Sequence, residues 1–229
     1  SSGALSVYVS NGVVYAAGYK TNDLKNIAML WEGSSAVPLT NGDNDAQAYS
    51  VFVVLDDVYV AGYESNGTNK VAKIWKNRIA TLLSSGDSDA EAYSVYVHNG
   101  DVYVAGYETI GANRVAKLWK NGTPSELTDG NKDAEARSVC VGASGVYVVG
   151  KEFNGDNNYV GMLWNNGASR MLVYEEGDLV SEARSVSVVG MDVYVSGYAG
   201  GAGAVFWKNG EPTQIEGGSM GYSISVFRP

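Results

Sequence analysis

The amino-acid sequence predicts an all-β protein built from one repeated unit. Tryptophans recur at intervals of 44, 44, 45 and 43 residues, at Trp31, Trp75, Trp119, Trp164 and Trp207. Glycines keep nearly the same spacing, at Gly18, Gly62, Gly106, Gly150 and Gly197, and each follows a Val- and Tyr-rich run such as DVYVA. A period of this length in strand-forming residues is typical of a stacked array of small β-sheets.

Each unit contains four predicted strands, which are clearest in the third copy. We predict strands there at 94–97, 101–108, 114–120 and 125–128, because the pattern has a period of two and is rich in Val, Tyr, Ile and Trp. Asn-Gly pairs follow the first and third strands, and both residues of a type I′ hairpin turn require positive φ. The unit is therefore predicted to be a four-stranded antiparallel sheet.

The second strand of each unit is apolar on both faces, as in the sequence VYVAGY at 58–63. Such a strand needs cover on both sides of its sheet. A four-stranded sheet of about 44 residues, repeated five times and covered by its neighbours, predicts a five-bladed β-propeller over residues 1–229 as a single domain. An open β-solenoid and two separate sandwiches are the structural alternatives. Antiparallel strands linked by hairpins do not suit a solenoid, and two sandwiches would need a linker, which no break in composition supplies.

The first strand of the repeat occurs once more than the tryptophan does. The pattern Ser-apolar-x-Val begins at six positions, which are Ser6, Ser50, Ser94, Ser138, Ser185 and Ser223. We expect the N- and C-terminal strands to close the ring, with 6–9 and 223–226 competing for one position. Otherwise one copy is displaced to an edge, or the chain belongs to a longer array.

The segments DVYVAGYE and VAKLWKNG of the third copy resemble a kelch repeat. The likeness consists of a strand that ends in Gly-Tyr, followed by a tryptophan. The segments depart from the kelch pattern because they lack its double glycine and place the tryptophan in the third strand. In blade number and length the chain resembles the tachylectin-2 type of lectin, although that family's motif residues are not matched. The lectin resemblance implies glycan binding.

The composition excludes several classes of partner. A formal net charge of −9 without a Lys/Arg run makes nucleic acid and membrane surfaces poor partners. No stretch approaches 18 continuous apolar residues, so we expect a soluble chain. We also expect a monomer. The start at Ser-Ser-Gly suits either a mature secreted protein or residues left by cloning, and we favour a secreted or periplasmic location. A single cysteine leaves the redox compartment open.

Acidic segments join one unit to the next, as in SGDSDAEAYS at 85–94. We interpret them as connections from the outer edge of one blade to the inner strand of the next, with Gly and Asp favouring the turns. Calcium binding is the alternative role for these segments, since aspartates recur there in pairs. An EF-hand loop would need Gly at its sixth position and Glu at its twelfth, and neither is present. We predict no metal and no cofactor.

The predicted site uses positions that differ between copies. Tyr or Arg precedes the recurring serine in five of the six copies, at Tyr49, Tyr93, Arg137, Arg184 and Tyr222, with Leu5 in the sixth. Two residues earlier stand Glu91, Glu135 and Glu182 in three copies. We expect these residues around the channel mouth on the top face, where they suit a glycan or small polar ligand. A solvated ring of ion pairs is the alternative.

Three further carboxylates, Glu64, Glu108 and Glu152, follow the glycine in successive units and raise the alternative of a glycosidase-like enzyme. Catalysis needs two carboxylates in different environments, and repeated copies should place them in similar ones. His98 is expected at the surface and Cys140 in a packed strand. The sequence therefore favours a non-catalytic binding or interaction module for a ligand or a protein partner, with an enzyme or a ligand-free scaffold as alternatives.

Overall fold

A computed structural model of the chain describes residues 1–22, 24–156, 158–175 and 180–226. The described residues form strands and no helix, so no helix in this part of the chain could cross a membrane. The strands make five antiparallel sheets of four, named here blades 1 to 5 in chain order. In every blade the strands lie side by side in chain order, and the first strand is here called the inner strand and the fourth the outer strand.

The strand bounds show how regular the repeat is. Blade 1 contains β1 (Ser2–Ser10), β2 (Val13–Asn22), β3 (Lys25–Glu32) and β4 (Ser35–Pro38). Blade 2 contains β5 (Ala46–Val54), β6 (Asp57–Ser65), β7 (Lys70–Lys76) and β8 (Ile79–Leu82). Blade 3 contains β9 (Ala90–His98), β10 (Asp101–Ile110), β11 (Asn113–Lys120) and β12 (Thr123–Glu126). Blade 4 contains β13 (Ala134–Gly142), β14 (Gly145–Phe153), β15 (Tyr159–Asn165) and β16 (Ala168–Leu172). Blade 5 contains β17 (Ser181–Val189), β18 (Asp192–Ala199), β19 (Gly203–Lys208) and β20 (Glu211–Gln214).

The chain forms two compact units. Unit one contains Ser1–Ile110 and Trp119–Ser125, and unit two contains Gly111–Leu118 and the chain from Glu126 onward. Blades 1 and 2 therefore lie in unit one, and blades 4 and 5 lie in unit two. Blade 3 contributes strands to both.

Blade 3 shows where the predicted strand bounds were right and where they were wrong. Asn99 and Gly100 have φ of 52° and 84°, which confirms the positive φ expected of the hairpin turn. The first strand begins at Ala90, four residues before its predicted start, because pairing with β10 continues beyond a bulge. The fourth strand begins at Thr123, directly after a tight turn, and not at 125.

The core of unit one lies between stacked blades. The front face of a blade is the side that carries its tryptophan, and the back face is the opposite side. In blade 2 the front face consists of Val51, Val53, Val58, Val60 and Trp75, all buried. These side chains form one cluster with the back face of blade 1, to which Ala17 and Leu30 belong. Each buried valine stabilises such a stack by about 1.5–3 kcal/mol relative to exposure.

A hydrogen bond from a backbone N–H to the recurring serine repeats between stacked inner strands. The backbone N–H of Val51 donates to Ser6 Oγ at 3.2 Å, and that of Val95 donates to Ser50 Oγ at 3.2 Å. In unit two, Val186 N–H donates to Ser138 Oγ at 3.2 Å. Within each unit, the recurring serine therefore fixes the register of the next inner strand on the blade before it.

The two terminal copies of the first-strand pattern have different structures. Ser6–Val9 lies within β1, which pairs with β2. Residues 221–226 belong to no strand. Closure of a ring by terminal strands therefore stays a prediction.

Candidate functional site

A β-bulge lies at the same position in the first strand of every blade. In blade 2, Ala48 pairs with Gly62 and Ser50 pairs with Ala61, so that Tyr49 is the extra residue. The same shift in the other blades makes the extra residues Leu5, Tyr93, Arg137 and Arg184. A bulge redirects the side chain of its extra residue and is frequent beside functional sites. Four of the eight predicted site residues are therefore bulged residues.

The recurring glycine makes the bulge sterically feasible. A Cβ placed on Gly62 would lie 2.0 Å from the carbonyl oxygen of Gln47. On Gly106 it would lie 1.9 Å from the carbonyl oxygen of Glu91. Only a residue without a side chain allows this approach. The glycine that recurs in every repeat of the sequence therefore also permits the bulge on which the candidate site is built.

The bulges of unit one hold a cluster of tyrosines. The rings of Tyr49 and Tyr93 have centroids 5.3 Å apart and are tilted by 60°. Behind them lie Tyr63, 5.9 Å from Tyr49, and Tyr107, 5.8 Å from Tyr93. Tyr49 and Tyr93 are half-buried. The cluster presents two partly exposed aromatic rings on a buried aromatic base.

Glu91 holds this cluster together from within. Its carboxylate is almost fully buried and accepts hydrogen bonds from the hydroxyls of Tyr49 at 2.5 Å and Tyr107 at 2.9 Å. It also accepts an ion-pair hydrogen bond from Lys70 Nζ at 2.8 Å. Burial, together with the negative charge of Glu91, raises the pKa of Tyr49 well above its usual range. Glu91 therefore positions the ring of Tyr49 and keeps its hydroxyl protonated.

The bulges of unit two hold arginines, and a second buried glutamate organises them. Glu135 accepts hydrogen bonds from Arg137 Nε at 2.9 Å and also from its Nη2. Arg114 Nη1 lies 3.2 Å and Lys151 Nζ 3.5 Å from the same carboxylate. This carboxylate is 2 % exposed, whereas the Arg137 side chain is 31 % exposed. The arrangement keeps the carboxylate enclosed and part of the Arg137 side chain accessible.

Lys151 links this carboxylate to the corresponding group in blade 5. Its Nζ donates to Glu182 at 2.9 Å, and Arg184 Nη2 donates to the other oxygen at 2.7 Å. Burial would raise the pKa of Glu182, but the hydrogen bond from Lys151 and the charges of Lys151, Arg184 and Arg137 lower it overall. The guanidinium of Arg184 also lies 5.2 Å from the ring centroid of the exposed Tyr222.

The aspartates of the connecting segments are engaged by the protein itself. Asp45 accepts the backbone N–H of Asn26 at 2.9 Å and the hydroxyl of Tyr63. Asp133 accepts the N–H of Arg114 at 3.0 Å and the hydroxyl of Tyr159 at 2.7 Å. These bonds attach the two connecting segments to the start of a third strand, as expected of a joint between blades. The described residues contain no cluster of three metal-ligating side chains.

The carboxylates considered for catalysis have unlike surroundings. Glu64 pairs with Lys73 Nζ at 2.5 Å. Burial raises the pKa of Glu152, and Lys132 partly offsets that rise. The expectation of like environments was therefore wrong for these two, which belong to different units. His98 is exposed and Cys140 is buried in β13, as expected.

The cations beside the buried glutamates were not predicted from the sequence. Lys70 and Arg114 occupy the same position of successive repeats, 44 residues apart, at the start of the third strand. Each pairs with the glutamate 21 residues further along the chain. A comparison of charged positions between copies would have indicated this pairing.

Five four-stranded antiparallel blades define an all-β protein of the β-propeller class. One similar solved structure is TolB from Acinetobacter baumannii, with a TM-score of 0.56 and 15 % sequence identity. The match covers 91 % of this chain and 53 % of the TolB chain, so this chain spans about half the length of TolB. At this identity the likeness shows the fold alone. No protein-family model and no curated protein sequence matches the chain.

Proposed function

We propose that the chain is a non-catalytic binding module, a single propeller domain whose bulged residues bind a glycan or another small polar ligand on the top face at the channel mouth. One observation carries the proposal. A bulge redirects the same inner-strand position in every blade, and the residue at that position changes between Leu, Tyr and Arg while the surrounding repeat stays alike. A conserved geometry with variable side chains is what a binding surface requires.

The tyrosines of unit one support binding of a sugar. Aromatic rings offer an apolar face to the C–H groups of a pyranose and a hydroxyl to its polar edge. Tyr49 is held by its hydrogen bond to Glu91. Such preorganisation lowers the conformational entropy lost on binding.

The arginines of unit two support binding of an acidic or hydroxyl-rich group. Arg137 and Arg184 keep 31 % and 26 % of their side chains exposed while glutamates fix their orientation. A guanidinium held in this way can give two parallel hydrogen bonds to a carboxylate or diol. In this proposal tyrosines and arginines contact the ligand, and Glu91, Glu135 and Glu182 position them.

Calorimetric titration with neutral and acidic oligosaccharides tests the proposal. We expect the pair Tyr49→Ala and Tyr93→Ala to weaken neutral glycan binding by about tenfold or more. The pair Arg137→Ala and Arg184→Ala should weaken acidic glycan binding in the same way. His98→Ala, at the exposed end of β9, is the matched control and should bind as the unmodified chain does.

Three results would contradict the proposal. Unchanged binding by both double variants would place the ligand elsewhere. Absence of binding across the panel would favour a scaffold or a protein partner. Hydrolysis of the oligosaccharides would favour the glycosidase alternative, with Glu152→Gln as the first variant to assay. A secreted or periplasmic location, where extracellular glycans occur, fits the proposed ligand.

A further inference from the structure

Eight Asn-Gly pairs in the sequence are candidates for spontaneous deamidation. Their asparagines are Asn11, Asn41, Asn66, Asn99, Asn121, Asn154, Asn166 and Asn209. In such a pair the backbone nitrogen of the glycine can attack the side-chain amide carbon of the asparagine, because glycine has no Cβ to hinder the approach. The reaction also needs an asparagine side chain that can turn toward that nitrogen. The side-chain hydrogen bonds of the eight asparagines therefore decide which of them react.

Six of the eight asparagines are held by side-chain hydrogen bonds. They are Asn41, Asn66, Asn121, Asn154, Asn166 and Asn209. Among the residues that the structure describes, the side chains of Asn11 and Asn99 form no hydrogen bond. These two lie in the hairpin turns between the first and second strands of blades 1 and 3. Their amide groups are therefore able to rotate.

Blade 3 contains one Asn-Gly pair of each kind, in turns of the same backbone geometry. The angle φ is 52° at both Asn99 and Asn121, and it is 84° at Gly100 and 81° at Gly122. A Cβ placed on either glycine would meet nothing within 4 Å, so both glycines are equally accessible. The two asparagines are both exposed. The backbone therefore does not distinguish the two turns, and only the side-chain bonds do.

A carboxylate at the start of β10 holds the second of these turns. Asn121 Nδ2 donates to Asp101 Oδ1 at 2.8 Å, and Asn121 Oδ1 accepts the backbone N–H of Val102 at 2.8 Å. Lys120 Nζ lies 2.7 Å from the other oxygen of Asp101 and keeps that carboxylate in place. Attack requires the amide carbon of Asn121 to approach the nitrogen of Gly122 closely. Because the two hydrogen bonds hold the amide group against β10, both must break before the reaction.

The same arrangement recurs in blade 5, and a weaker form of it occurs in blade 4. Asn209 Nδ2 donates to Asp192 Oδ1 at 2.8 Å, and Asn209 Oδ1 accepts the N–H of Val193 at 2.8 Å. In blade 4, Asn166 Nδ2 donates at 3.1 Å to the backbone carbonyl oxygen of Ser144. A hydrogen bond to a carboxylate is stronger than one to a neutral carbonyl. Protection should therefore be stronger at Asn209 than at Asn166.

We propose that Asn99 is a site of spontaneous conversion to isoaspartate, and that Asp101 and Asp192 protect Asn121 and Asn209 from the same reaction. The nitrogen of Gly100 loses its proton to solvent and forms a bond to Cγ of Asn99, and the amide nitrogen takes a proton from water and leaves as ammonia. Water then opens the resulting cyclic imide at either carbonyl, which gives aspartate or isoaspartate. Asn11, whose side chain also holds no hydrogen bond, is a second site by the same argument.

The product alters the hairpin turn between β9 and β10. Isoaspartate adds a carbon atom to the main chain and a negative charge to the turn. A type I′ turn depends on positive φ at both of its central residues, and a longer main chain disrupts that geometry. Tyr93, the bulged residue of the candidate site, lies in the first half of β9, away from this turn. The reaction therefore destabilises the end of blade 3 as the molecule ages and leaves the bulge in place.

Peptide mapping by mass spectrometry of the full chain, incubated in mildly alkaline buffer, tests the proposal. Deamidation replaces an NH2 group by OH and changes the peptide mass, and chromatography separates isoaspartate from aspartate. We expect Asn99 to react at least about tenfold faster than Asn121 or Asn209, since two hydrogen bonds must break before either of these reacts. In urea the three should react at similar rates. Equal rates in the folded chain would overturn the proposal, and so would a difference that persists in urea.

Two single variants remove the protection from one turn at a time. Asp101→Ala should raise the rate at Asn121 by about fivefold or more and leave Asn209 protected. Asp192→Ala should do the reverse, so each variant is the matched control of the other. Circular dichroism confirms that both variants are folded. An unchanged rate at Asn121 in Asp101→Ala would overturn the protective role of the aspartate. Faster reaction at both asparagines in either variant would also overturn it, because general loosening would then be the cause.

Discussion

The hydroxyl of Tyr49 donates a hydrogen bond of 2.5 Å to the carboxylate of Glu91, although the two residues are 42 positions apart and lie in successive blades. Through this bond the second residue of one inner strand fixes the bulged residue of the preceding inner strand. The repeat therefore provides both the side chain of the candidate site and the group that orients it.

Replacement of Glu91 should show how much this network contributes to stability. Glu91→Gln leaves Lys70 without its ionic partner and weakens the bonds to Tyr49 and Tyr107 inside the protein. We expect a loss of about 1–3 kcal/mol in the free energy of unfolding, measured by urea denaturation. Asp87→Asn removes a charge from an exposed residue and should change stability by less than about 0.5 kcal/mol. Equal effects of the two substitutions would mean that the network contributes nothing measurable.

Alkaline pH should reduce stability partly through Tyr159. Its hydrogen bond to Asp133 and its burial raise its pKa from the ordinary 10.0 to about 12. Below pH 10 both states keep the proton and the stabilising contribution is complete. Between pH 10 and about 12 the unfolded chain loses the proton first, so this contribution is lost as the pH rises.

The Tyr159→Phe variant isolates this effect. Urea denaturation at a series of pH values should give a shallower loss of stability across this range than in the unmodified chain. Tyr222→Phe, at an exposed ring, serves as the control and should keep the original slope. An unchanged slope in Tyr159→Phe would assign the alkaline loss to other groups.

The tryptophans should differ in their contribution to stability because blade stacking covers them unequally. Trp75→Ala opens a cavity between blades 1 and 2 and should cost about 3–5 kcal/mol. Trp31→Ala, at a half-buried residue, should cost less than half as much. Comparable losses in urea denaturation would show that Trp31 contributes to stability as much as the fully buried Trp75 does.

The bulge should depend on the recurring glycine. Gly62→Ala forces a Cβ against the carbonyl oxygen of Gln47, and the backbone must shift to admit it. We expect a loss of about 3 kcal/mol or more, since the contact is with main chain and not with a flexible side chain. Gly201→Ala places its Cβ in open space and should be nearly neutral. Thermal unfolding of the pair distinguishes the two, and a tolerated alanine at 62 would show that the bulge can relax.

Much of the blade could be predicted because its signals are local. The alternation of Val and Tyr, the Asn-Gly turns and the spacing of tryptophans depend on residues adjacent in the chain, and they indicated four strands per unit. The early start of β9 could not be predicted in this way. Pairing of Ala90 with Glu108 continues past a bulge, and a bulge changes which residues lie opposite one another without changing the composition of the strand.

The candidate site, like the blade, could be predicted from the sequence only in part. The sequence by itself determined that Tyr49, Tyr93, Arg137 and Arg184 occupy one variable position of a regular repeat, because repetition is visible without coordinates. Only the tertiary structure decided that this position is the bulged residue, and that Glu91 and Glu135 are enclosed. Enclosure and exposure depend on which blades stack, and a buried carboxylate is stable only where distant residues bring hydroxyls and cations to it.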